Sequence, residues 1–155
     1  MPSMMGSKVY ICATAQAAAP ANAAAYAALT WVEIKGVGNM GQIGTGQNIL
    51  SYPTWGDLVT GKEKGAANAG DPTLEVMRNT ADAGQDALRA AALTSSKYAF
   101  KVERADKLTG GGTNSIFYNW GVVTGPTRPQ GGNEDFDVEV FTLGFAALEI
   151  AVDPT

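Results

Sequence analysis

The chain has 155 residues, a net charge of −4 and 45% apolar content, which is long enough for one domain with a real core. Histidine is absent, so the commonest general base and the commonest metal ligand are both missing. The lone Cys12 cannot form an intramolecular disulfide, no apolar run approaches the roughly 20 residues of a membrane span, and fifteen acidic against eleven basic residues argue against a dedicated nucleic-acid binder. The start of the chain carries no basic region followed by an apolar one, so a signal peptide is not expected. The charge is unevenly spread. All eleven basic residues lie at or before Arg128, whereas Pro129 to Thr155 holds six acids and no base.

Lys8 to Cys12 alternates as a first strand. The alanine-rich residues 15–29 read as a surface connection, with marginal helix from Asn22 to Leu29 after Pro20. Thr30 to Lys35 is a clear strand, Val32 and Ile34 on one face and Trp31, Glu33 and Lys35 on the other. From Gly36 to Gly70 nine glycines interrupt the pattern, with apolar pieces only at Ile49-Leu50 and Leu58-Val59. Connections in compact domains usually run about 4–6 residues. The segment therefore holds either short irregular strands or an arm that becomes ordered against another chain.

Thr73 to Arg78 is a strand leading into the one convincing helix, about residues 82–94. Asp82 is placed to cap the first turn, Gln85 to return the bond, and Gly84, Ala87, Leu88, Ala91 and Ala92 to form a narrow apolar stripe. Tyr98 to Arg104 follows, with Tyr98, Phe100 and Val102 inward. Ser115 to Thr124 is the most apolar strand, ended by Gly125-Pro126. Phe136 to Phe145 alternates, with Phe136, Val138 and Val140 read as inward and Asp137 and Glu139 as outward, and Glu149 to Val152 closes the chain. Some seven antiparallel strands and one flanking helix make a mainly β domain, a sandwich or partly rolled barrel spanning residues 1–155.

Chemistry finds little support. Gly36-Val37-Gly38-Asn39-Met40-Gly41 spells GxGxxG, but Gln42 to Gln47 does not open a helix, so a glycine-rich turn explains it. Glu134, Asp135, Asp137 and Glu139 suggest a calcium site, against which the alternation favours an outer strand face. Trp31, Trp55 and Trp120 could line a sugar site, though core and interface roles are commoner for tryptophan in a β domain. No catalytic, cofactor-binding or metal-binding residue is assigned, and no enzyme activity is expected.

The order of elements carries a resemblance. A Trp31-Val32-Glu33-Ile34 strand precedes a long glycine-rich arm and an extended strand. Asp82-Ala83-Gly84-Gln85-Asp86-Ala87-Leu88 and the strand Tyr98-Ala99-Phe100-Lys101-Val102 follow, and then a final alternating strand and a short last one. From about Trp31 to Val152 the chain resembles the major tail (tail tube) proteins of long-tailed bacteriophages and gene transfer agents, although the alanine-rich 15–29 stretch has no place in that pattern. The resemblance implies a β-sandwich that assembles into stacked hexameric rings, a virion tail through which DNA passes. It also implies partners among tape-measure, tail terminator and baseplate-side proteins, and no membrane insertion. It implies that an extended loop bridges successive rings, where Ile49, Leu50, Tyr52 and Trp55 are the apolar residues available. A conduit for DNA is expected to present neutral or acidic groups, which nominates Asp137 and Glu139 for the lumen. The alternatives are a carbohydrate-binding β-sandwich and a tube subunit of a contractile-injection or type VI secretion system.

Overall fold

The structure, a computed structural model, describes residues 4–56 and 58–155. In chain order the elements are β1 (Lys8–Ile11), α1 (Ala23–Ala27), β2 (Val32–Ile34), β3 (Val37–Met40), β4 (Gly46–Tyr52), β5 (Gly61–Asn68) and β6 (Thr73–Met77). Then come α2 (Ala83–Ala92), β7 (Tyr98–Glu103), β8 (Ile116–Thr127), β9 (Val138–Phe145) and β10 (Ile150–Val152). The architecture is mainly β and sandwich-like, with antiparallel sheets, two helices and no closed barrel among the described residues.

One antiparallel sheet runs β2-β1-β7-β8-β9-β6-β3, and β10 joins β8 beside β9. β9 and β10 share one side of the long β8: Phe145 pairs with Gly121 and Ile150 with Tyr118, residues 146–149 interrupting between them. β8 does not stop at Gly125-Pro126 as expected. It bulges there, with Gly125 at φ +107, and pairing resumes at Thr127 opposite Val140. A glycine takes that backbone conformation without the clash a Cβ would bring.

Both faces of the central strands are covered. Val9, Ile11, Ile34, Leu74, Val76, Phe100, Val102, Phe141, Leu143 and Phe145 make the main core beneath α2, which adds Leu88 and Ala91. Full burial of a side chain such as Leu88 is worth about 1.5–3 kcal/mol. The opposite face of β7 and β8 is roofed by the alanine-rich segment. There Tyr26 of α1, capped by Asn22, stacks on Tyr118 at 4.9 Å beside Trp31, Trp120 and Cys12. That connection thus supplies a second core layer as well as a surface.

α2 starts where the sequence places it, with the Asp82 carboxylate accepting from the Gln85 amide at 3.0 Å. Gln85 does not return a bond to Asp82. Its fully buried amide ties three segments instead, donating to the carbonyls of Lys35 (2.7 Å) and Met77 (2.9 Å) and accepting from the Asn79 amide (2.9 Å). Gly84 lets the helix touch β2, because a Cβ there would overlap the Glu33 carbonyl.

Candidate functional site

The 36–70 segment divides into two parts. Residues 37–40 form edge strand β3, paired with β6, and Val37, Met40 and Ile43 pack on the core. Ala69 is also buried there. Between these anchors, β4 and β5 form a two-stranded sheet of their own, with every β4 residue exposed. The arm proper is therefore a hairpin of residues 46–68, shorter than the sequence suggested.

Ile49, Leu50, Tyr52 and Trp55, the four apolar residues nominated for contact between rings, all lie on this hairpin and all face water. Trp55 is at 107% of its reference exposure and Leu50 at 58%. Leu58 and Val59 join them near the tip. Directly opposed residues of an antiparallel pair share a face. Leu50 and Tyr52 therefore stand with Glu63 and Gly61, and Ile49 and Ser51 with Lys64 and Lys62. The small Gly61 opposite Tyr52 leaves a shallow recess of about 470 Å³, lined by Leu50, Tyr52, Thr54 and Glu63.

Asp137 and Glu139 do not share an outward face. Asp137 precedes β9 and is exposed, whereas Glu139 is fully buried, opposite Val76 and on the same side as Phe141, Leu143 and Phe145. Val138 and Val140 are the half-exposed residues, so the expected parity is inverted. The reason is a charged cluster beneath α2. Arg89 donates to Glu139 Oε1 from Nη2 at 2.8 Å and from Nε at 3.1 Å. Arg78 Nε lies 3.6 Å from Oε1, and Arg128 Nη2 lies 3.4 Å from Oε2. Arg89 is itself held by Asp86 (2.8 Å) and the Gln85 side-chain oxygen (3.0 Å).

A buried carboxylate is tolerated only when paired and hydrogen-bonded. The Arg89 hydrogen bonds, with the nearby charges of Arg128 and Arg78, hold the Glu139 carboxyl below its ordinary value, although burial pulls the other way. The same bond raises the Arg89 guanidinium. Asp137 meets Arg78 at 3.4 Å, beside an open recess of about 370 Å³ lined by Arg78, Arg128, Gly131 and Gly132. The surface around Asp137 is thus mixed in charge. Asp135 accepts from the Gly132 amide, whereas Asp137 and Glu139 both meet Arg78.

The tryptophans are dispersed. Trp120 is buried and donates to the Gln16 carbonyl at 3.2 Å; Trp31 donates to the Tyr26 carbonyl at 3.1 Å; Trp55 sits on the arm. They form no common stacking platform. Lys101 lies between the Tyr10 and Trp31 rings, 4.3 and 5.4 Å from their centres, and burial lowers its pKa.

No family model matches the chain, and no curated protein matches it. A chain in a solved structure does match, in the cryo-EM structure of the anti-feeding prophage (AFP) baseplate, 6-fold symmetrised. The TM-score is 0.63 at 8% identity, over 99% of this chain and 97% of that one. At so low an identity the likeness establishes a shared fold.

Proposed function

We propose that this chain is a structural subunit of a phage-tail-like particle, of the tail-tube kind. In this reading it forms homo-hexameric rings that stack into a tube through which DNA passes. Tape-measure, terminator and baseplate-side proteins are its neighbours in the virion tail, and it carries no enzyme activity. The observation that carries the reading is the fold match over nearly the whole of both chains, to a component of a six-fold-symmetrised baseplate. The exposed hairpin supports it independently. Six large apolar side chains held in water on one projection call for a partner surface, and Ile49, Leu50, Tyr52 and Trp55 are the proposed contacts between rings.

A tube subunit of a contractile-injection system is the second reading. It shares the fold and differs in setting, and the baseplate match favours it equally. A glycan-binding module lacks support, since its tryptophans would need one exposed patch. For the lumen, Asp137 stays a candidate, while Glu139 is occupied by arginines.

Negative-stain microscopy with sedimentation of the purified protein tests the reading. Rings or tubes of uniform width are expected. Discrete monomers at high concentration, by both methods, would overturn it.

A further inference from the structure

The arm has two free strand edges, and their chemistry differs. β5 presents Lys62, Glu63 and Lys64 in succession, and Gly65 stands at a bulge where its Cβ position crowds the Asn48 carbonyl. Charged residues, lysine above all, and bulges are the devices that keep an exposed edge from pairing with other strands. β4 has no such guard. Gln47-Asn48-Ile49-Leu50-Ser51-Tyr52 contains no charge, no proline and no glycine, and every residue is exposed. Low net charge and the lack of proline and glycine are among the features that mark a six-residue segment for strand-on-strand association, and Ile49 and Tyr52 add β-propensity. Left uncovered, such an edge is a liability; its neighbour β5, which begins nine positions after Tyr52, is protected.

The main sheet offers a match. Its terminal strand β3, Val37–Met40, is likewise uncharged and pairs on one side only, with β6. The opposite terminal strand, β2, carries Glu33, and α2 packs against it while Asp82 accepts from the adjoining Lys35 amide at 3.2 Å. A chain with one unguarded edge on its arm and another on its body can pair head to tail. Contacts of that heterologous kind propagate or close into rings.

We propose that the β4 edge of the arm is a backbone-pairing surface that adds to a strand of a second copy of this chain, leaving the β5 edge in solvent. The inference rests on the self-assembly reading and goes further by naming the edge and the mode of contact. Side chains on the arm supply apolar contact, and the β4 amides and carbonyls supply register. In a pairing of this kind only alternate residues point to the outer edge, so protection of the backbone has a period of two.

Residue-resolved hydrogen exchange on dilute and self-associated protein is the test. Association is expected to protect alternate amides of residues 47–52 and to leave the outward amides of 62–67 exchanging as in the dilute sample. As a second measurement, Leu50→Lys places a gatekeeper charge opposite Glu63, where the hairpin itself tolerates it. This variant is expected to raise the concentration for half-association about tenfold or more, a loss of at least ~1.4 kcal/mol. Lys62→Thr with Lys64→Thr unguards the second edge and is expected to give disordered lateral aggregation. Rings in which β4 stays unprotected, or is protected no more than β5, would overturn the edge assignment and leave the ring reading standing. Alternate protection of β4 in dimers that never form rings would do the reverse, and no association at any concentration would remove both.

Discussion

Glu139 and Trp55 stand at opposite extremes. In the body, a charged side chain is fully buried and three guanidiniums surround it; on the arm, the largest apolar side chain is fully in water. Each arrangement runs against ordinary burial preferences. The body can afford its exception because Arg89 of α2, Arg78 just past β6 and Arg128 just past β8 reach one carboxylate. On the arm nothing among the described residues covers the tryptophan. The difference teaches that the body satisfies its buried charge internally, whereas the arm leaves its large apolar side chains exposed, which is what the proposed partner surface would cover.

The comparison breaks most sharply at Glu139. Glu139→Ala leaves three guanidiniums without their shared carboxylate, and is expected to cost about 3–5 kcal/mol in chemical denaturation, the range for breaking a buried ion pair. Glu139→Lys adds a fourth cation and is expected to prevent folding. The pH dependence follows from the depressed carboxyl: the stabilisation is fully present above the ordinary glutamate range and is lost as pH falls through the lower folded-state value. Denaturant midpoints measured from neutral to acid pH are expected to fall for the native protein, and to fall less steeply for Glu139→Gln.

A smaller loss is expected at Gly84→Ala, where the added methyl must displace either α2 or β2. Overpacking of that kind costs about 1–3 kcal/mol, read as a lowered melting temperature. An unchanged melting point would mean that the helix rides more loosely than this close approach implies.

Glu149 sharpens the comparison from the other side. One of its carboxylate oxygens is buried without a hydrogen-bond partner, near Asn119, whose buried amide group also lacks one. Burial pushes the Glu149 carboxyl upward, against the pull of Arg104 and Asn119. A raised folded-state value means that this group's own contribution to stability is fully present below the ordinary glutamate range and is lost as pH rises through the raised value. Glu149→Gln is therefore expected to raise the melting temperature slightly at neutral pH and to remove that decline.

The least effect on folding belongs to the arm. Trp55→Ser, or deletion of residues 47–67, is expected to change body stability by no more than about 0.5 kcal/mol, as for surface changes that break no packing. Both variants are expected to lose long tubes in microscopy. A deletion that unfolds the subunit would show that the arm belongs to the core.

Much of this was legible in the chain itself. Strands at 8–11, 32–34, 73–77 and 98–103 follow from alternation, and the start of α2 follows from Asp82, because these are local preferences of a few adjacent residues. The exposed apolar residues of the arm were also visible, as isolated Ile49-Leu50 and Trp55 in a glycine-rich setting. The parity of β9 was within reach and was missed. Phe141, Leu143 and Phe145 share it with Asp137 and Glu139, and three large apolar residues outweigh two small ones at Val138 and Val140. What no local pattern holds is the meeting of Arg78, Arg89 and Arg128 at Glu139, since they come from positions up to 61 residues apart in the chain. Along the sequence the C-terminal stretch is acid without base; in space its buried acid has three guanidiniums within 3.6 Å. Composition counts charges by position in the chain. Electrostatic energy depends on distance in the fold, and only the tertiary structure sets that.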